Sequence, residues 1–154
     1  MLVVVQRVAQ ASVSVAGETV ADIDHGLLVL VGVAPSDAPT EVEAVADKLV
    51  GLRIFTDDAG KMNLSVADVG GSVLVVSQFT LLGNVGKGRR PSFTGAAAPE
   101  VAEPLVEQLV DSIEQRGVPT ASGRFGANMA VSLVNDGPVT LVLSAKDGVI
   151  EQFP

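Results

Sequence analysis

The chain has 154 residues, a length that predicts one domain spanning residues 1–154. Its 18 acidic residues outnumber its 10 basic ones, and the net charge of −8 excludes a broad basic face for DNA or RNA. A small contact with the end of a nucleic acid stays open. No cysteine is present, which excludes disulfides, thiolate nucleophiles and cysteine-ligated metals and favours a reducing compartment.

The apolar content of the chain bears on its cellular location and its oligomeric state. The longest apolar runs fall well short of the roughly 20 residues that a membrane span needs, so we expect a soluble, cytoplasmic protein without a membrane partner. Hydrophobic residues make up 47% of the chain, a share high enough to favour a buried subunit interface. We therefore expect a homodimer.

The first half of the chain is read mainly as strands. Apolar runs and period-two alternation predict strands at residues 3–8, 12–15, 18–23 and 27–33. Thr40 and Glu43 have the spacing of a capping box, and apolar residues at helical spacing then lead to Gly51, where the first helix is predicted to end. Strands are expected again at residues 52–55 and 72–82.

The second half adds a loop, a helix and two strands. Glycines and prolines predict a loop at residues 83–98. A helix follows from about residue 99 to Gly117, although Pro104 would cost about 3 kcal/mol inside it and favours a later start. Strands at 127–134 and 139–144 are predicted on either side of a turn at 135–138. The fold class is α+β: two helices with a mostly antiparallel or mixed, barrel-like sheet.

Several familiar kinds of site are excluded by the residues present. His25, the only histidine, is expected in an exposed turn, so a Ser-His-Asp triad is disfavoured. Residues 57–60 lack the spaced oxygens of a calcium loop, and no metal or cofactor is predicted. Gly88 stands where a phosphate-binding P-loop needs Ser or Thr. Lys87, Arg89 and Arg90 form one basic cluster, either a phosphate contact or simply a solvated loop.

Two polar segments remain as candidates for chemistry. Ser77-Gln78-Phe79-Thr80 follows a hydrophobic run, at the point where a strand is expected to leave the core. Asp136-Gly137 is a hairpin signal, and Pro138 can open a strand. Taken singly, each segment is compatible with a purely structural role.

Taken together, these segments resemble the D-aminoacyl-tRNA deacylase family, also called D-tyrosyl-tRNA deacylases. Residues 77–81 carry the motif SQxTL and residues 135–140 the motif NxGPxT, both intact. Further matches, in the same order along the chain, lie at residues 5–8, 11–13, 61–65, 87–93 and 123–127. The helix with Pro104 departs from the family because it lacks a Tyr after Leu105.

The resemblance implies an enzyme that hydrolyses the ester between a D-amino acid and the acceptor end of tRNA, with no cofactor. It implies a homodimer with active sites at the subunit interface. The residues that match the catalytic pocket are Ser77, Gln78, Phe79 and Thr80. Gly137 and Pro138 match a cis dipeptide that enters the partner's pocket and rejects L-aminoacyl groups, and Arg7 matches a position that holds this dipeptide.

Two mechanisms stay open for this family. Thr80 is either a nucleophile, or its segment supplies an oxyanion hole while the 2′-hydroxyl of the tRNA activates water. A Thr hydroxyl needs a nearby base, and the chain offers no good histidine, which favours the second account. A wall against the Cα substituent would admit glycine, so glycyl-tRNA, mischarged on tRNA-Ala, is a predicted secondary substrate. A non-catalytic binding module and a general esterase using Thr80 are the alternative functions.

Overall fold

The computed structural model describes residues 1–152, which form a curled, mixed β-sheet, a half-barrel, with two α-helices. This confirms the predicted α+β class. The strands are Leu2–Val15 (β1), Glu18–Ile23 (β2), Gly26–Gly32 (β3), Phe55–Thr56 (β4), Met62–Leu64 (β5), Ser72–Ser77 (β6), Thr120–Ser122 (β7), Met129–Lys146 (β8) and Val149–Gln152 (β9). The helices are Pro39–Gly51 (α1) and Pro99–Gln115 (α2), and Phe79–Leu82 forms a short 3₁₀ turn.

The main sheet is organised around the long strand β1. Its order is β7-β6-β3-β1-β8-β9, with β2 also paired to β1, while β4 and β5 form a separate hairpin. β6 is parallel to β3 and to β7, and the other pairs are antiparallel. The strands predicted at 3–8 and 12–15 are halves of β1, which continues through the exposed residues Ala9 and Gln10.

Two apolar clusters lie on opposite faces of the sheet. Residues from both helices, such as Leu49 and Leu109, pack with Leu27 and Val29 in the larger cluster. Leu28, between these two residues of β3, belongs to the smaller cluster under β2. Burial on both faces explains why this strand reads as a continuous apolar run.

The predicted capping box of α1 is wrong. Pro39 occupies the first helical position, where its fixed φ and missing N–H are tolerated, so the cap falls at Ala38. The Glu41 carboxylate accepts the Ala38 N–H at 2.8 Å, the contact that had been assigned to Glu43. Glu43 contacts α2 instead, because its carboxylate accepts a hydrogen bond from the Ser112 hydroxyl at 2.6 Å.

The later start expected for α2 is also wrong. The helix begins at Pro99 and includes Pro104, whose side chain faces solvent. The strand predicted at 52–55 is reduced to the two residues of β4, Phe55–Thr56. Neither α1 nor α2 has the length and apolar character that a transmembrane helix needs.

The C-terminal third differs most from the prediction. β8 runs through residues 135–138, so the predicted turn between two strands is wrong. Val8 pairs with Asn135 and Gln6 with Thr140, which leaves residues 136–139 as a bulge opposite Arg7. We call this bulge the Gly-Pro loop. The short strands β7 and β9, which sequence reasoning missed, extend the two edges of the sheet.

Candidate active site

The segment of residues 77–80, called here the SQFT segment, begins where β6 ends. The Gln78 N–H donates to the Val31 carbonyl at 2.7 Å, the last ladder bond of this edge. The chain then turns, and the Leu81 N–H bonds back to the Gln78 carbonyl at 3.2 Å. The strand predicted over 72–82 is therefore wrong beyond Ser77. The 3₁₀ turn offers the N–H groups of Phe79 and Thr80 no carbonyl within itself.

The SQFT segment forms a wall between two cavities. The larger, of about 330 Å³, lies towards α2 and is mostly apolar. The smaller, of about 210 Å³, lies on the side of β8. Both are lined by Ser77, Gln78, Phe79 and Gly126. Residues 77–79 can therefore contact a ligand that occupies both cavities.

The Thr80 hydroxyl has no base beside it. Thr80 is exposed, and its hydroxyl accepts a hydrogen bond from the Gln78 side-chain amide. An amide cannot take the hydroxyl proton, whichever way it is turned. His25 lies by the opposite end of β6, where its carbonyl accepts the Ser72 N–H, about 16 Å from Ser77 at the usual strand rise.

An aromatic pair connects the SQFT segment to the loop at 83–98. The rings of Phe79 and Phe93 meet edge to face with centroids 5.2 Å apart. Gly83 permits this packing, because a Cβ there would lie 2.8 Å from the Phe93 ring. Phe79 is still 56% exposed, which leaves part of the ring free for an incoming ligand.

The Gly-Pro loop is exposed at its tip and held from below. The Gly137–Pro138 peptide bond is cis, and both residues face solvent. The buried Arg7 side chain donates to the Asp136 carbonyl at 3.2 Å and to the Ile54 carbonyl at 2.6 Å. Gly137 has φ +122°, and a Cβ there would lie 2.9 Å from an Arg7 nitrogen. Arg7 thus contacts the loop at Asp136 and joins it to Ile54.

One chain does not bring its two candidate segments together. A row of paired residues runs from Ser77 across β3 to Val3 of β1 and on to Leu143 of β8. The Gly-Pro loop lies opposite Arg7, four residues along β1 from Val3. At ordinary strand spacing and rise, the segments are on the order of 20 Å apart along the sheet.

The basic cluster lies near the site without lining either cavity. Lys87, Arg89 and Arg90 are exposed on the loop at 83–98, whose base is closed by paired backbone bonds between Asn84 and Ser92. Within residues 1–152 none of the three forms an ion pair. Phe93, in the same loop, packs against Phe79 and so connects this loop to the SQFT segment.

Some residues that line the larger cavity were not predicted from the sequence. Phe93, Phe125 and Gly126 line the larger cavity, although no role was predicted for them. All three fall in segments that carry the family resemblance, residues 87–93 and 123–127. Their place in these matching segments was the signal that could have identified them. Their position beside residues 77–79 depends on long-range packing.

The fold and the site define an α+β half-barrel protein with two cavities lined by one strand-end segment. Residues 4–144 match the family model described as D-Tyr-tRNA(Tyr) deacylase, and the chain belongs to this family. It is 60% identical over 146 residues to a protein of Desulfatibacillum aliphaticivorans named D-aminoacyl-tRNA deacylase, covering 95% of this chain and 100% of that one.

Two further matches support the assignment. A protein of Brevibacillus brevis with the same name is 57% identical over 145 residues, covering 94% of this chain and 100% of the relative. A solved structure described as "c-Myc DNA Unwinding Element Binding Protein" superposes with a TM-score of 0.89 at 40% identity. It covers 95% of this chain and 99% of that one.

Proposed function

We propose that this protein is a D-aminoacyl-tRNA deacylase, hydrolysing the ester that joins a D-amino acid to the terminal adenosine of tRNA. The observation that carries the proposal is the SQFT segment, whose residues 77–79 line two cavities in a chain of the D-Tyr-tRNA(Tyr) deacylase family. The names of the curated relatives supply the same activity. The reaction class is ester hydrolysis in translation quality control.

The cavities suggest how the substrate is divided. The larger, apolar cavity with the exposed Phe79 ring suits the adenine base, because bases stack on aromatic side chains. The smaller cavity then receives the aminoacyl group, and the ester between them lies against the SQFT segment. The N–H groups of Phe79 and Thr80 face the carbonyl oxygen as its negative charge develops, and one such donor contributes roughly 10²–10³ in rate.

The substrate itself supplies one of the catalytic groups. Water attacks the carbonyl carbon, the C–O bond to the ribose breaks, and the ribose oxygen leaves with a proton. The neighbouring 2′-hydroxyl of the tRNA assists the water, since the Thr80 hydroxyl is bonded to the Gln78 amide and has no base. Ser77 and Gln78 complete the wall that positions the ester.

Selection against L-amino acids is assigned to the Gly-Pro loop. Gly137 and Pro138 present exposed backbone that Arg7 holds from below, as a wall against Cα substituents requires. Such a wall rejects L-forms whatever their side chain, which a side-chain pocket discriminating by about 1–3 kcal/mol per methylene would not do. Glycine carries no such substituent, so glycyl-tRNA, including that mischarged on tRNA-Ala, is the proposed secondary substrate.

A second copy of the chain supplies the wall. Because the two segments lie far apart in one protomer, Gly137 and Pro138 reach a cavity beside residues 77–79 only across a dimer interface. β8 also exposes Leu133, Val134 and Val142, apolar surface that a partner would cover. We therefore propose a homodimer with two sites, each formed by the SQFT segment of one protomer and the Gly-Pro loop of the other.

The basic loop is proposed to contact the phosphates of the acceptor end. Lys87, Arg89 and Arg90 are exposed cations in a chain of net charge −8, beside the loop residue Phe93 that touches Phe79. Replacing all three by Gln is expected to weaken tRNA binding and flatten its salt dependence. An unchanged salt slope would remove them from the tRNA contact surface.

The test is hydrolysis of tRNA charged with D-tyrosine, L-tyrosine or glycine by the pure protein. We expect release of D-tyrosine and glycine and retention of L-tyrosine. The Pro138→Ala and Gly137→Ala variants are expected to lose discrimination against L-tyrosine because the wall changes shape. Failure of the wild-type protein to release D-tyrosine selectively would overturn the proposal, and tRNA binding without turnover would favour a non-catalytic module.

DNA binding is the second candidate, because the name of one structural relative includes it. The net charge of −8 argues against a DNA-binding face on this chain, as does the small size of the one basic cluster. Mobility-shift assays with single-stranded and duplex DNA at physiological salt are expected to show no shift. A shift at micromolar protein or below would favour this candidate.

A further inference from the structure

The Gly-Pro loop interrupts the ladder between β1 and β8, and one side chain repairs it. Residues 136–139 oppose Arg7 alone, so two carbonyls at the base of the bulge lose strand partners. Asn135 replaces these partners: its Nδ2 donates to the Arg7 carbonyl and to the Val139 carbonyl, each at 3.0 Å. Both amide hydrogens are thereby used to tie the two stems of the loop together.

A short relay fixes the orientation of this amide. The Thr140 hydroxyl donates to Asn135 Oδ1 at 3.3 Å and accepts from Gln6 Nε2 at 3.2 Å. Because Gln6 donates to Thr140, the Thr140 proton points to the Asn135 oxygen, which leaves Nδ2 facing the two carbonyls. The relay spans β1 and β8, the same two strands that the loop separates.

The relay acts on a different side of the loop from Arg7. Arg7 supports the Asp136 carbonyl from below and is anchored to Ile54, whereas Asn135 closes the stems at either end. Gly137 and Pro138, at the tip, are exposed and can contact a ligand. Their height above the sheet is therefore set by both supports together.

We infer that Asn135, oriented by Thr140 and Gln6, is a positioning residue that determines how far Gly137 and Pro138 reach into the partner's cavity, and so determines selection between D- and L-aminoacyl groups. The inference rests on the proposed function, because it gives the loop the filtering role. It adds that the filter depends on the donors of the Asn135 amide as well as on Arg7.

The decisive variant is Asn135→Asp, which keeps the shape and removes both amide donors. Loss of a bond worth about 1.4 kcal/mol corresponds to about a tenfold change, so the ratio of kcat/KM for D-tyrosyl-tRNA over L-tyrosyl-tRNA is expected to fall at least about tenfold. Thr140→Val removes the hydroxyl that orients the amide and is expected to lower the ratio similarly. Thr140→Ser, which keeps the hydroxyl, is expected to retain the wild-type D/L ratio.

The controls separate positioning from stability. Leu109→Val, which loosens the buried core between the helices, should lower the Tm and leave the D/L ratio unchanged. Should Asn135→Asp fail to fold, the Thr140→Val and Thr140→Ser pair decides the matter. A wild-type ratio in folded Asn135→Asp, or in Thr140→Val, overturns the inference while the proposed function stands. A wild-type protein with no D/L selectivity overturns the proposed function itself.

Discussion

At the scale of single residues, the side chains of the SQFT segment are at most weakly acidic or basic. Gln78 and Thr80 bond to each other, and neither can act as a general base at neutral pH. In the proposed mechanism the catalytic groups are backbone N–H donors, whose positions depend on how the chain turns after Ser77. Catalysis by such donors suits an aminoacyl ester, which is reactive and carries its own neighbouring hydroxyl.

Thr80→Ala tests this view directly. Removing a true nucleophile costs on the order of 10⁶ in kcat, whereas removing a side chain beside backbone donors costs little. We expect kcat of Thr80→Ala on D-tyrosyl-tRNA to stay within about tenfold of wild type, measured in single-turnover assays. A loss of several orders of magnitude with an unchanged Tm would restore Thr80 as the nucleophile.

Glu41 illustrates how one buried carboxylate connects distant parts of the fold. It accepts the Ala38 N–H and the Gly148 N–H, each at 2.8 Å, and the Thr40 hydroxyl at 3.1 Å. Burial raises the pKa of this carboxyl, but these hydrogen bonds together outweigh burial, so the net pKa of Glu41 lies below its usual 4.5. The start of α1 is thereby joined to the turn between β8 and β9.

Glu41→Gln is expected to destabilise the protein by about 1–3 kcal/mol at pH 7, because an amide offers fewer acceptors and places a donor against N–H groups. The lowered pKa means that the carboxylate stabilises the fold above pH 4.5 and that this contribution is lost as pH falls through the folded pKa. Denaturant unfolding should therefore show the gap in unfolding free energy to wild type narrowing as the pH falls below 4.5. Glu100→Gln, in the exposed first turn of α2, should show only a small gap; equal gaps for the two variants would contradict the assignment.

At the scale of elements, α2 shows packing prevailing over propensity. Pro104 removes the N–H that would bond to the Glu100 carbonyl, yet the helix continues because Leu105, Leu109 and Ile113 are buried against the sheet and α1. The ring itself faces solvent, so it fills no space in the core. The effect of Pro104 on the helix start was overestimated from the sequence, because burial of the opposite face outweighs one missing helical hydrogen bond.

Pro104→Ala is expected to stabilise the protein by about 1–2 kcal/mol, since a restored helical bond outweighs the greater freedom of the unfolded chain. Thermal or denaturant unfolding measures it. Pro99→Ala is the matched control: Pro99 occupies the first helical position, where no N–H partner is lost, so the change should stay within about 0.5 kcal/mol. Destabilisation by Pro104→Ala would show that the ring itself contributes.

At the scale of the whole molecule, the separation of the two segments is the central fact. The SQFT segment and the Gly-Pro loop lie three strands apart, on opposite sides of β1. A single copy presents each segment to solvent without joining them. Assembly is therefore part of the proposed site, and activity should depend on which protomers are paired.

Mixing two defective chains tests this. One carries Gln78→Ala with Phe79→Ala in the SQFT segment, and the other carries Gly137→Ala with Pro138→Ala in the Gly-Pro loop. In a mixed dimer, one site combines the intact SQFT segment of the second chain with the intact loop of the first. We expect co-refolded mixtures to regain up to about a quarter of the wild-type D-selective activity per total site, because half the dimers are mixed and each holds one good site. No recovery in a demonstrated mixed dimer would contradict the cross-subunit site.

The amino-acid sequence by itself determined the aliphatic core, the α+β class and the buried strand β3, because these depend on residue type and local period. The hydrophobic run before Ser77 also indicated that residues 77–80 follow a strand, and the family resemblance singled out Arg7. The boundaries of α1 and α2 were missed where a proline made two readings possible. The strands β7 and β9 were missed because three or four residues give too little periodicity.

The bulge at residues 136–139, and the hydrogen bonds by which Asn135 closes its base, emerged from the tertiary structure alone. That outcome depends on the pairing of β8 with β1, whose partners beside the bulge, Val8 with Asn135 and Gln6 with Thr140, lie more than 120 positions apart in the sequence. No local pattern encodes such a contact. The same pairing sets the distance between the two candidate segments. The local sequence Asp136-Gly137 favours a hairpin turn. Pairing with the distant strand β1 keeps these residues within β8 instead.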